Sequence, residues 1–482
     1  MADTYRPETW PIRVGGRMEA FRPSAGSDAK VINSAWEARA KEWAFYEQTL
    51  AGGPGYVVDH LFTHARELGE DFAKRQERAY FKNRCRPILK AKNAAIYQRG
   101  VTRRLEGQDE AIARIVRNVD GRGTHADQFF QGVQYLTMAM GVSFVLVHPA
   151  RDVRSRAALI DAPPPMELVH PMRVVNWQLA IDGWLDWALI CRPHVMRAPW
   201  QAEESSKTFE LWTREAVTVY DHEGRQIGEE VPHGATMNGN PITPLVPFFN
   251  GAAGQDLGGE SELADIAYLN RSILNKSSLL DEILYRQTFA QPVVEGQELG
   301  GTLPHIGGIG NLLVLYGQAR FRYESPPPAN AQMLLDTIRD DEESIRAQSL
   351  MDGGGASQQG SGIALSYRHR DLNSDLSEKA SAMQDGEGRA FGLVLSRIFD
   401  PVPPISIEYA KSFEVRTISD DLDEATRMLD LGMGPTFEAE VKMDLAERKL
   451  RRRAPQVLGT IKKELEEQPA RGGFPAQAEE AA

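Results

Sequence analysis

The chain has 482 residues, 42% hydrophobic and 25% charged, with 55 Lys and Arg against 67 Asp and Glu and a formal charge of −12. That apolar fraction excludes disorder over most of the length, and two cysteines more than a hundred positions apart, Cys85 and Cys191, exclude a disulfide scaffold. The acidic balance excludes a general phosphate-binding surface, and no run reaches the ~18 apolar residues of a membrane span.

The length suggests two to four domains at roughly 100–200 residues each. Met1 to Ala20 has early charges and no apolar core, so it reads as no signal peptide. The expectation is a soluble protein that starts in the cytoplasm. Residues 1–30, rich in Pro, Gly and Arg, read as an arm. From Val31 to about Gln98 the pattern is helical, broken at Gly52-Gly53-Pro54-Gly55. A strongly charged helical run follows from Asp71 to about Lys92, with Phe72, Ala79, Tyr80 and Ile88 too sparse for a dense stripe.

Asp127 to Met140 predicts a helix, Gly141 its stop, and Val142 to Val147 a buried strand. Strand patterns recur at Val174–Trp177, Trp184–Ile190, Thr208–Trp212, Ala216–Tyr220 and, after a turn at His222-Glu223-Gly224, at Arg225–Val231. Pro241, Pro244 and Pro247 are read as the end of the sheet region. Ser261 to about Phe289 has no Gly or Pro and predicts one helix of roughly 40 Å. Pro292–Val294, Leu312–Tyr316 and Arg320–Tyr323 read as strands around a Gly-rich stretch. Ala331–Met351 predicts a second long helix. Asp352–Gly362 reads as a flexible loop, and Ser366–Phe399 as a third helix weakened by Gly386, Gly388 and Gly392. Ser406–Thr417 reads as a short strand, Asp420–Glu467 as a small helical cluster, and the chain after Gln468 as a disordered tail. The fold class is α+β.

Catalytic patterns are weak throughout. Gly355 and Gly360 lack the Lys and hydroxyl of a phosphate-binding loop. His60 and His64 are spaced for one helix face, but the general-base Glu and a third ligand are missing. Cys85 between Arg84 and Arg86 offers an activated thiol, against a plain cysteine on a basic helix. Asp340 to Glu343 and the acidic run at 420–424 read as helix N-terminal turns and solvated faces. The sequence supplies no catalytic residue, no cofactor-binding residue and no metal ligand, and it predicts a non-enzyme. What remains is architecture: two long helices bracketing a small β insert, which one copy cannot bury on both sides and which favours a ring of copies.

The order of these elements resembles the portal proteins of tailed bacteriophages, the head-to-tail connectors. The residues that carry the resemblance are Arg75–Asn83 with Ala91–Ala95, Met140–Val147, Pro171 with Val174–Trp177, Trp212 and Tyr220, Pro247 leading into Leu263–Asn270, and Gly360–Leu365. The resemblance implies a portal-like fold. Its parts would be an N-terminal arm at 1–30, a wing at 31–260 (α-rich, then β), a first stem helix at 261–291, a clip at 292–328 and a second stem helix at 329–351. A tunnel loop at 352–365, a long helix returning to the wing at 366–418, a helical crown at 419–467 and a disordered tail at 468–482 would follow.

The resemblance further implies a ring, usually of twelve subunits, at one capsid vertex of a virion assembled in the host cytoplasm. Double-stranded DNA would pass through it without sequence readout during packaging and ejection. The implied partners are the terminase large subunit, a head-tail adaptor, the major capsid protein and a scaffolding protein. The alternative is another oligomeric virion component, such as a head-closure or minor capsid protein. Candidate DNA contacts are the loop residues Ser357, Gln358, Gln359 and Ser361, which offer uncharged hydrogen-bonding groups to phosphates. Candidate basic rings in the lumen are Arg271, Lys276 and Arg286 on the first stem helix and Arg339 and Arg346 on the second. The densest basic run, Arg448, Lys449, Arg451, Arg452 and Arg453, would reach either DNA phosphates or a neighbouring subunit's acids.

Overall fold

The computed structural model describes residues 13–14, 17–18, 32–65, 67–149, 155–196, 204–251, 257–288, 291–295, 320–324, 328–350 and 362–413, with scattered residues between 425 and 464. The chain forms two units, Met1–Lys411 and Ser412–Ala482. In the second, residues 425–430, 437–439 and 441–443 are helical.

The first unit begins with a two-residue strand pair, β1 (Arg13–Val14) with β2 (Arg17–Met18), inside the segment read as an arm. Helix α1 (Ser34–Ala51) is capped by Asn33, whose Oδ1 accepts from the Ala35 amide at 2.8 Å. Gly52, at φ +60°, turns the chain into α2 (Gly53–His60). The charged run expected as one helix to Lys92 is two, α3 (Gly69–Arg78) and α4 (Cys85–Tyr97). The break has a tertiary cause. Asn270, 190 residues away in sequence from Tyr80, donates to Lys82 O at 3.0 Å and accepts from the Arg84 amide at 2.9 Å. Those backbone groups are thereby satisfied outside a helix.

Then come β3 (Thr102–Leu105), α5 (Asp109–Ile115), α6 (Ala126–Met140) and β4 (Val142–Val147). All six residues of β4 are buried, and Gly141 caps α6 at φ +82°, which only glycine adopts at low cost. After α7 (Arg156–Asp161) and β5 (Met166–Val169), five antiparallel strands form one sheet in the order β10-β9-β8-β7-β6. They are β6 (Val174–Leu179), β7 (Leu185–Met196), β8 (Glu204–Thr213), β9 (Ala216–Tyr220) and β10 (Gln226–Pro232). A small ribbon, β11 (Thr236–Met237) with β12 (Asn240–Pro241), follows.

The sheet region does not end at the prolines. β13 (Leu245–Phe249) pairs with β4 in a second sheet, β13-β4-β5, with Pro247 opposite Phe144. β13 is an edge strand, where a residue without an amide proton costs no ladder bond.

Next is α8 (Ile266–Thr288), then β14 (Gln291–Glu295) paired antiparallel with β15 (Arg320–Glu324), then α9 (Pro328–Gln348). The expected strand at 312–316 lies outside the described residues. Helix α10 (Gly362–Ser396) runs unbroken through all three of its expected weak points. Two of the glycines are there for packing: a Cβ on Gly386 would sit 2.6 Å from the Phe248 ring, and one on Gly392 would sit 3.0 Å from Met237 Cε. The core under α10 stacks Phe130 on Phe248 and Phe391, with centroids 6.0 and 5.9 Å apart. Finally β16 (Ile405–Glu408) returns to pair with β3.

Candidate functional site: the paired long helices

Helices α8 and α9 run antiparallel. The paired strands β14 and β15 bring the end of α8 and the start of α9 together, and Lys276 Nζ on α8 lies 2.6 Å from Asp341 Oδ2 on α9. The counts from hairpin to ion pair agree: twelve residues on α8 and thirteen on α9. Ile273, Leu280, Ile338 and Ile345 are buried in the same apolar core.

The other face of α8 holds the segment 60–84 by polar contacts. Asn275 accepts from the Phe62 amide at 2.8 Å and donates to His60 O at 3.0 Å. Ser278 Oγ accepts from Arg75 Nη1 at 2.9 Å, and Arg75 also pairs with Glu67 at 2.7 Å. Glu282 pairs with Arg78, which stacks 4.2 Å from the Tyr285 ring centroid. Arg84, at the far end of the segment, pairs with Glu342 on α9. Asn270 completes the series. Sequence reading missed this set because each residue is unremarkable on its own helix; the signal available was five amide or hydroxyl side chains (270, 272, 275, 277 and 278) within nine residues of one helix.

The expected basic positions are placed as follows. Arg271 lies over three rings, 4.8 Å from Phe45, 5.1 Å from Tyr268 and 5.5 Å from Phe62. Such stacking holds a guanidinium by its flat face. Lys276 faces α9 as described. Arg339 is exposed beside Asp336 at 3.5 Å, and Arg346 lies 3.7 Å from Glu342. Arg286 is on α8, and its side chain lies outside the described residues. So do Ser357, Gln358, Gln359 and Ser361, and the run Arg448, Lys449, Arg451, Arg452 and Arg453.

Asp340 to Glu343 are not in a helix N-terminal turn but in the second half of α9, and Asp341 is buried by Lys276. The Cys85 thiol is fully buried and pushed up to about 12 by that burial, the reverse of activation. His60 packs 4.2 Å from the Tyr56 ring and meets Gln48 Oε1 at 2.9 Å. Among the described residues no group of three His, Cys, Asp or Glu is arranged to hold a metal ion.

A second built feature joins the entry of α8 to the sheet. Gly141 and Gly259 pack backbone to backbone; a Cβ on Gly259 would lie 1.9 Å from Gly141 O. Beside them Glu262 meets Lys379 at 2.8 Å and Lys92 at 2.6 Å, and Asp375 pairs with both lysines. Burial would raise the Glu262 carboxyl, but Lys379 and Lys92 outweigh it and hold it down at about 2. This four-charge knot fixes α4 and α10 to the segment that leads into α8.

No family model matches the chain, and no curated protein matches it. Similar solved structures come from gene transfer agent (GTA) particles. A chain in the neck of a native particle, computed with C12 symmetry, has 11% identity and a TM-score of 0.45, covering 88% of this chain and 95% of that one. A chain in the virion of a native particle has 12% identity and a TM-score of 0.44, covering 86% and 92%. A chain in the neck of an empty particle, computed with C6 symmetry, has 12% identity and a TM-score of 0.43, covering 72% and 84%.

Proposed function

We propose that the chain is a portal-type subunit: a non-enzymatic component of a phage-like particle that assembles as a ring, with twelve copies the reading we adopt. The ring occupies one capsid vertex and conducts double-stranded DNA in packaging and ejection. The observation that carries this reading is the order and pairing of α8, β14–β15, α9 and α10: two antiparallel long helices with a small hairpin between their ends, followed by a 35-residue helix. In this reading α8 and α9 are the stem. The region 292–328 is the clip, which docks the terminase large subunit and later a head-tail adaptor. The wing meets the major capsid protein and a scaffolding protein.

The charge supports a conduit. Copies at −12 each repel DNA as a whole and let it slide, while a few cationic positions steer it. Arg339 and Arg346, both exposed on α9, are the described positions that suit this role. The 352–361 loop and the 448–453 run are proposed DNA-facing elements on sequence grounds alone.

The test is negative-stain electron microscopy of the purified protein. Rings with a central hole wide enough for duplex DNA are expected. A monodisperse monomer at micromolar concentration would overturn the reading.

A further inference from the structure

The two sides of the stem offer a partner different chemistry. On a wheel of 100° per residue, Asn270, Asn275, Ser278, Glu282 and Tyr285 share an arc of about 140°, and Lys276 lies about 170° from its centre. Helix α3 and α9 therefore flank α8 on opposite sides, and the segment reaches α9 only at its far end, through Arg84 and Glu342. Each of them has an outer face.

The outer face of α9 is a straight stripe. Positions 329, 333, 336, 340, 343 and 347 alternate steps of four and three, and all six are exposed. The stripe carries Met333, 63% exposed, then the carboxylates Asp336, Asp340 and Glu343. The opposite flank carries large apolar groups and charges of both signs. Tyr285 is 57% exposed, Phe62 56% and Leu68 72%. Lys74 and Arg78, four apart on α3, are both exposed, with Glu70 and Glu77 exposed on the same helix; Arg78 stacks on Tyr285 and pairs with Glu282.

Heights match as well as charges. Lys276 lies level with Asp341, and both helices rise about 1.5 Å per residue. Met333 is therefore level with residue 284, Asp336 with 281 and Asp340 with 277. Across the stem, Tyr285 and Arg78 stand at 282–285 and Arg75, next to Lys74, at 278. A rotation about an axis along the stem preserves height, so it carries Met333 toward Tyr285, Asp336 toward Arg78 and Asp340 toward Lys74.

Resting on the ring reading above, we infer that a second copy of this chain docks its α9 stripe onto the α3–Tyr285 flank. The contact is head-to-tail, so each copy uses both faces and the series closes into a ring. It gives two of the interface carboxylates a cation to meet, Arg78 for Asp336 and Lys74 for Asp340.

The test pairs Met333→Cys with Tyr285→Cys in the full chain. Cys85 and Cys191 are fully buried and do not compete. Mild oxidation should give a ladder of covalent multimers on a non-reducing gel, because the two sites of one chain sit on opposite sides of α8 and cannot join. A second arm needs no cysteine. D340K should raise the concentration at which rings half-dissociate several-fold, and adding K74E should recover most of it, read by mass photometry. Wild-type rings with no ladder and no effect of charge reversal would overturn this interface alone. An intramolecular crosslink would overturn it too. A wild-type chain that never forms rings would overturn the ring reading beneath it.

Discussion

Glu387 on α10, with no exposed side-chain surface, accepts the Nε–H of Arg103 on β3, whose guanidinium also meets Asp127 at 2.6 Å. Tyr409 completes the site, donating to Glu387 Oε2 at 2.6 Å and lying 3.2 Å from the Tyr97 hydroxyl. Burial raises the Glu387 carboxyl more than Arg103 lowers it. The group ties together β3, the start of α6, α10 and the end of β16. It is a structural clamp on the return of the long helix.

Arg103→Met should therefore cost about 3–5 kcal/mol, because it leaves a buried carboxylate without its cation. The sign with pH follows. Without Arg103 the folded-state pKa of Glu387 rises further, so the variant keeps most stability when Glu387 is protonated and loses it as pH rises. Urea denaturation should show a larger deficit at pH 8 than at pH 5. Arg103→Met with Glu387→Gln should recover much of the loss; a double variant no better than the single would refute the account.

The glycines of α10 and of the entry to α8 should separate sharply. A Cβ on Gly388 would have nothing within 4 Å, and its φ is not positive, so Gly388→Ala should stabilise the helix by about 1 kcal/mol. Gly386→Ala meets the Phe248 ring and should destabilise by about 1–3 kcal/mol. Gly259→Ala meets backbone, which cannot swing aside as a side chain can, and should be the worst of the three. Thermal melts of the three variants give the order directly, and equal effects would contradict the packing described.

Much of this was legible in the chain itself. Gly141 after an amphipathic run, then a six-residue stretch that is apolar at every position but Ser143, marks α6 and β4 without tertiary information. The long helices were visible from length and the absence of Gly and Pro in 261–289. Failures came where a distant residue decides local structure. Pro247 reads as a terminator unless one knows that β13 is an edge strand. The stretch 79–84 reads as helix because Asn270, which holds it open, is on another element. The partners of Arg271 and Lys276 come from positions 45, 62 and 341, so neither orientation could be read from spacing along α8. The paired glycines 141 and 259 belong to segments 118 positions apart, and only their contact explains both.

A pH response should come from Glu47 on α1 and His170, which precedes β6. His170 Nδ1 accepts from the Met172 amide at 3.2 Å, so its proton sits on Nε2, 3.3 Å from Glu47 Oε2. Burial pushes Glu47 up to about 8 against the pull of Arg173, and burial with Arg173 pushes His170 down to about 3. The two signs oppose. The Glu47 contribution is full below its ordinary value of 4.5 and is lost as pH rises toward about 8; the His170 contribution is full above 6.5 and is lost as pH falls toward about 3. Above pH 6.5 only Glu47 still acts. Glu47→Gln should therefore gain about 1.5–2 kcal/mol on the wild type between pH 6.5 and 8. Parallel melting curves across that window would show that Glu47 is already ionised in the folded protein.

The last prediction concerns the proposed tunnel loop. Residues 352–362 contain five glycines (353, 354, 355, 360 and 362) and the polar set Ser357, Gln358, Gln359 and Ser361. Neutral groups can touch phosphates without releasing counterions, so such contacts hold DNA weakly and with little salt dependence. That suits a channel through which duplex must move in both directions. Helix α10 begins at Gly362 and α9 ends at Gln348, so the loop is anchored at both ends by the elements read as stem and return helix. Ser357→Cys or Gln359→Cys, carrying a photoreactive crosslinker, should join to DNA in filled heads and not in empty ones. Replacing both glutamines and both serines by alanine should leave ring formation intact and lower DNA retention. A cysteine at 357 that labels freely from outside assembled particles, and never reaches DNA, would take the loop out of the channel.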